Sequence, residues 1–165
     1  MTLRHRTDRR HFLTLCLAAG ASLTALADQT SAAAAVKRLL QGDKAPAGVV
    51  FDIVSRDAKY LDSALASVNQ WQEQLHARFP TLDVAVVSHG REQFSLTIAN
   101  QPLEFKANSL AEELLGDDVA LHVCGLHATS QGVSADEYPD YIDVAPSGPA
   151  KVAEYVDLGY VLIVL

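Results

Sequence analysis

The sequence predicts one α/β domain, a three-layer α/β/α sandwich on a mainly parallel sheet of about five strands. Three observations lead there. Short apolar runs recur within 47–54, 82–87, 119–123, 142–144 and 160–165, without the strict alternation of a half-solvated sheet. Segments with helical spacing or helix-capping residues separate these runs, the order expected of parallel strands joined by crossover helices. The chain has 165 residues, 49% hydrophobic and 20% charged, which suits a single core and argues against two independent domains.

The first 27 residues read as an export address. Arg4 to His11 is basic, Phe12 to Ala19 is apolar, and Ala25-Leu26-Ala27 offers a small-x-small cleavage site just before Asp28. The apolar stretch has too few strongly hydrophobic residues for a membrane span. Arg9-Arg10 followed by Phe12-Leu13 resembles the twin-arginine export motif. Cleavage after Ala27 into a periplasm is therefore expected, leaving Cys124 as the only thiol and no intrachain disulfide.

Residues 28–46 form an Ala-rich segment that reads equally as a mobile arm or as a short helix with Val36, Leu39 and Leu40 on one face. Val49 to Val54 is a buried strand, broken by Ser55-Arg56-Asp57. Leu61, Leu65, Val68, Trp71, Leu75 and Phe79 recur at helical steps, so 59–79 is a long amphipathic helix that Pro80 ends. Leu82 to Val87 is a second strand, closed by Ser88-His89-Gly90. Residues 91–108 admit two readings, a strand through Phe94, Leu96 and Ile98 or a short helix with a loop; Pro102 disfavours a central strand. Ser109 with Glu112 suggests a capping box for a helix over 110–115, stopped at Gly116. Val119 to Val123 is a third strand with Cys124 directly after it. Ser134 with Glu137 caps a turn of helix, and 142–144 is a short fourth strand. Ser147 caps a helix with Pro149 in its first turn, and Tyr160 to Leu165 is the last strand.

The charge narrows the partners. Residues 28–165 hold nine Lys and Arg against 19 Asp and Glu, a surface that repels nucleic acid and anionic lipid, so neither nucleic acid nor, after cleavage, membrane is expected. Six histidines and two cysteines exclude a disulfide-dense scaffold or a Cys-rich zinc module. The chain has no Walker A, GxGxxG, GxSxG or CxxCH pattern, which removes the common nucleotide, dinucleotide, serine-hydrolase and covalent-haem readings.

In open parallel sheets ligands bind beyond the carboxyl ends of the strands. Four loops meet there: Ser55-Arg56-Asp57, Ser88-His89-Gly90, Cys124-Gly125-Leu126-His127 and Pro146-Ser147-Gly148. Cys124 stands between a strand end and a helical turn, where backbone N–H groups and a nearby cation favour thiolate. The bland alternative is a buried core cysteine. His127 could share a helical face with Cys124 as its proton partner. Arg56, His89 and Ser147 are candidate substrate-binding groups. His122 points to the same face as Cys124 and reads best as a neutral, hydrogen-bonded core residue. Cys124 with His127, His89 or His122 could instead hold a metal or haem, although Cys-x-x-His alone lacks the paired spacing of a zinc site; no metal or cofactor is expected.

Cys124-Gly125-Leu126-His127-Ala128, Gly132-Val133-Ser134-Ala135-Asp136, Asp143-Val144-Ala145-Pro146-Ser147-Gly148-Pro149 and Leu158-Gly159-Tyr160 resemble the DsrE/DsrF-like (YchN-like) sulfur-relay family. More loosely, so do 49–54, Val68-Asn69-Gln70 and Val87-Ser88-His89-Gly90. The resemblance implies a self-associating α/β/α domain, a trimer or hexamer, in which the position of Cys124 carries sulfur as a persulfide. Two departures are the export signal and Gln131 where the family has a basic residue. The expected function is that of an exported sulfur carrier exchanging sulfane sulfur with small sulfur species or with a donor or acceptor protein. The alternatives are a periplasmic metal- or haem-binding protein and a noncatalytic oligomeric module with Cys124 buried. The apolar last strand, at an exposed edge, would invite pairing, so it is expected either inside the sheet or at a symmetric subunit contact.

Overall fold

The structure is a computed structural model and describes residues 31–165. The export address of 1–27 lies outside the described residues. Within the Ala-rich arm the helical reading holds. Residues 31–40 form α1, with Ala32 and Val36 buried in the core and Leu39 and Leu40 packed against it.

Five strands follow, β1 (Gly48–Ile53), β2 (Asp83–Ser88), β3 (Ala120–Cys124), β4 (Asp143–Ala145) and β5 (Tyr160–Val164), all parallel, in the order β4-β3-β2-β1-β5. Between them lie α2 (Tyr60–Arg78), α3 (Phe105–Gly116), α4 (Gly125–Ser130) and α5 (Gly148–Asp157). The expected single-domain α/β/α sandwich is what the chain forms. Its two outer layers are unequal, for a topological reason. From β1 to β4 each connection steps the same way across the sheet, and right-handed crossovers then put all their helices on one face. The return from β4 to β5 runs the other way, so α5 covers the opposite face. The first face holds the large core, in which Phe51 stacks on Trp71 with ring centroids 5.8 Å apart. The second holds a small cluster of Val50, Ala85, Val87 and Val152 under α5.

Segment 91–108, ambiguous from sequence, contains no strand. Arg91–Leu96 is a 3-10 turn, 97–103 continues as turns, and α3 already begins at Phe105. The suggested capping box of Ser109 and Glu112 therefore lies inside α3 and starts nothing; its N-cap is Glu104, without a side-chain cap. The second box is real: Ser134 and Glu137 bond reciprocally around a 3-10 turn, Ala135–Glu137. Ser147 caps α5 by accepting from Ala150 N–H.

The 3-10 turn positions the carboxyl edge of the sheet. Glu92 is wholly buried, and both of its oxygens act as acceptors. Oε2 accepts from Ser55 N–H at 2.7 Å; Oε1 accepts from Gly90 N–H at 2.8 Å and from the Ser88 hydroxyl at 2.9 Å. The loops after β1 and β2 are thereby tied to one carboxyl group. Gly90 fits because a Cβ there would lie 2.3 Å from Glu92 Oε2 and 2.4 Å from Ser55 O. Glu92→Ala strands three buried donors at about 1–3 kcal/mol each, so urea unfolding should show a loss of about 3 kcal/mol or more. A loss below about 1 kcal/mol would mean that the loops hold without it.

Candidate functional site

The strand register sets the site. Asp52 pairs with Val87, Val87 with His122, and His122 with Asp143. These four form a row across the face that α5 covers. One pleat further, His89 follows Ser88, which pairs with Val123, so His89 is level with Cys124, itself paired with Ala145. His89 and Cys124 are thus lateral neighbours at the ends of adjacent strands, about 5 Å apart along the backbone spacing of a sheet. The amino end of α5 closes over both. A Cβ on Gly148 would lie 2.4 Å from His89 Cβ and 3.1 Å from Cys124 Cβ, so only glycine lets the helix approach this closely.

The connection leaving β3 passes to one face and that leaving β4 to the other. Between such strands a parallel sheet opens a crevice at its carboxyl edge. A cavity of about 280 Å³ occupies it, lined by His89, Cys124, Leu126, His127, Ser147 and Pro149 together with Ser130. Cys124 is the last residue of β3 and the N-cap of α4: its Sγ accepts from His127 N–H at 3.4 Å. The residue is only 3% exposed, a thiol at the wall of the cavity rather than on the outer surface. Its own N–H donates to Oε1 of Gln93 at 2.8 Å, and Gln93 is fully buried. The 3-10 turn therefore fixes the ends of three strands, β1 and β2 through Glu92 and β3 through Gln93.

His89 Nε2 lies 2.6 Å from Asp52 Oδ1. The bond to Asp52 raises the imidazole above its ordinary value of 6.5 against the opposing effect of burial, with further help from the Asp52 and Glu92 charges. A hydrogen bond to the backbone of His89 itself acts in the same sense. Asp52, His89 and Cys124 thus come from the ends of three adjacent strands, in the order carboxylate, imidazole, thiol, with the imidazole bonded to the carboxylate.

Of the residues singled out from sequence, Cys124, His127, His89 and Ser147 meet in the cavity. Arg56 does not; it sits exposed in the β1 loop, outside the lining. His127 contributes its backbone N–H to the sulfur, while its ring lies 5.5 Å from that of Phe94. His122 is buried, as expected, with Nδ1 2.5 Å from Asp143 Oδ2 and Nε2 2.7 Å from the Tyr155 hydroxyl. Burial lowers its pKa, outweighing Asp143. Both nitrogens being engaged, it is not disposed toward Cys124 as a ligand, and no group of three or more His, Cys, Asp or Glu side chains that could hold a metal occurs among the described residues. Sequence reasoning missed Asp52, Glu92 and Gln93. Only Asp52 had left a signal, as the one acid inside the apolar run from Val49 to Val54.

No family model matches the chain, and no curated protein matches it. A solved structure described as a protein of unknown function, MTH1491, from Methanobacterium thermoautotrophicum, is similar in fold. Its TM-score is 0.58 at 20% identity, over 71% of this chain and 97% of that one. At that identity the likeness concerns the fold alone.

The two histidines of this face should titrate in opposite directions. In NMR titrations the His89 midpoint should lie above 6.5 and that of His122 below it. Asp52→Asn should bring His89 down and leave His122 in place. A His89 midpoint at or below 6.5 in the unaltered protein would remove the imidazolium from the site.

Proposed function

We propose that this protein is an exported sulfur carrier of the DsrE/DsrF-like kind, in which the Cys124 thiolate accepts sulfane sulfur and passes it on as a persulfide. The observation that carries the reading is the placement of Cys124 in the crevice between β3 and β4, level with an Asp52-bound His89. Exchange of sulfane sulfur needs an accessible thiolate and a leaving thiol, and no cofactor. His127 N–H donates to the sulfur, and His89, bonded to Asp52, stands level with it on the neighbouring strand. Ser147 and Ser130 give the cavity hydroxyl groups for a small polar sulfur species.

Assembly belongs to the same proposal. Among the described residues β5 stands at the edge of the sheet, paired with β1 only. Its Ile163 is buried in the large core, whereas Leu162 and Val164 are 41% and 53% exposed on the face that α5 leaves partly open. A symmetric contact through this edge, in a trimer or its doubled form, would cover them. Light scattering on the chain from Asp28 onward should give a discrete oligomer, which Val164→Asp breaks down to smaller species. A monodisperse monomer at micromolar concentration would overturn the assembly.

The carrier reading has its own test. After treatment with inorganic tetrasulfide, the folded protein should gain the mass of one sulfur at Cys124, and Cys124→Ser should gain none. Iodoacetamide should compete for the same position in the folded state. Modification that occurs only after denaturation would make Cys124 a core residue and overturn the carrier.

A further inference from the structure

Three buried polar atoms without a hydrogen-bond partner belong to residues linked to Cys124: Gln93 Nε2, whose Oε1 accepts from Cys124 N–H, His127 Nε2, whose backbone N–H donates to Cys124 Sγ, and the Tyr138 hydroxyl, on which the charge of Cys124 acts. Gln93 is held against Cys124 by the 2.8 Å bond from Cys124 N–H to its Oε1, so Nε2 cannot turn elsewhere without giving that bond up. Tyr138 is 2% exposed. Its hydroxyl is pushed far above its ordinary pKa, chiefly by burial and then by the negative charge of Cys124, Glu137 and Glu92 nearby, and it stays a proton donor at any working pH. His127 is the residue whose backbone N–H already bonds Cys124 Sγ. Buried polar groups are nearly always paired, so idle ones on residues linked to Cys124 point to a partner that Cys124 itself carries.

Persulfide chemistry supplies such an acceptor. The Cys124 thiolate attacks a terminal sulfur of the tetrasulfide dianion. A bond forms between Sγ and that sulfur, the adjacent S–S bond of the donor breaks, and the trisulfide dianion leaves with the electron pair. No oxidant or reductant is consumed. The negative charge has then moved from Sγ to the outer sulfur, about 2 Å away. The His127 N–H that served Sγ no longer faces the charge, and a new set of donors is needed.

We propose that Gln93 Nε2 and the Tyr138 hydroxyl, with His127 Nε2 beside them, bind the outer sulfur of a Cys124 persulfide and stabilise it against loss. The proposal rests on the carrier reading above and assigns a place to its cargo. It makes Gln93 and Tyr138 idle in the thiol form and engaged in the loaded form.

Tyr138→Phe separates this role from a structural one, because it deletes only a hydroxyl that bonds to nothing in the thiol form. Its melting temperature should equal or exceed that of the unaltered protein, and its thiol should react with iodoacetamide at the unaltered rate. After loading with tetrasulfide and removal of the excess, its persulfide, followed by mass spectrometry, should decay about five- to tenfold faster, as expected for one lost hydrogen bond to a charged acceptor. Gln93→Glu, which keeps the acceptor for Cys124 N–H but removes the Nε2 donors, should shorten the lifetime as well. A Tyr138→Phe persulfide as long-lived as the unaltered one would overturn the proposal, as would a lowered melting temperature with a changed alkylation rate. Failure of the unaltered protein to load would overturn the carrier reading itself.

Discussion

The carboxyl group of Glu92 is the only acidic side chain fully buried among the described residues, and the shape of the candidate site follows from what it binds. Removing a carboxylate from water is unfavourable unless its lone pairs meet donors. Here Ser55 N–H, Gly90 N–H and the Ser88 hydroxyl supply them, all from strand-end loops that would otherwise be free to spread. Gln93, the next residue in the same 3-10 turn, binds Cys124 N–H. Two consecutive side chains therefore join three strand ends into one rigid edge. Rigidity matters at this place, because an imidazole and a thiol act together only when their separation is held within a fraction of an ångström.

Strand order does the remaining work. A chain that steps regularly from β1 to β4 stacks its helices on one face, and the single reversed step leaves one ten-residue helix for the other. The same reversal opens the crevice beside Cys124 and leaves Leu162 and Val164 partly uncovered near the far edge. A site and an incomplete apolar cover are thus two consequences of one topological choice. Among the described residues α5 is the only helix on its face, and it is attached at both ends. Gly148 pressed against His89 and Cys124 fixes its amino end, and the His122–Tyr155 bond fixes its carboxyl half.

Much of this was legible in the residues, and the illegible parts share a cause. The strands and α2 are long, apolar or periodic, so their burial is written in hydrophobic pattern. Ser147 and the Ser134–Glu137 pair act through neighbouring backbone, which is local information. Ser109 and Glu112 carry the same local pattern, yet tertiary packing extends α3 through them to Phe105. Segment 91–108 has no period because its task is to insert Glu92 and Gln93 into a polar junction, and such insertion depends on partners 31 to 37 residues away. At the site, the loops named Cys124, His127, His89 and Ser147, since each follows a strand. Arg56 follows one too, but its loop turns its side chain into solvent. Asp52 was hidden inside its strand, where only the register brings it under His89.

That register also explains why the two Asp–His pairs on one face shift their imidazoles in opposite directions. His122 stands one row below the crevice, beneath α5, with a neutral hydroxyl on its second nitrogen and Lys151 close enough to oppose a proton. Burial prevails and its pKa falls. His89 stands at the edge of the sheet, where desolvation is incomplete, where Asp52 is bonded at 2.6 Å and Glu92 adds its charge, and its pKa rises. A neutral imidazole is the better anchor for a helix, since it donates to Asp143 while accepting from Tyr155. Two residues of displacement along the strands, from the row of His122 to the row of His89, separate an imidazole whose pKa falls under α5 from one whose pKa rises level with Cys124.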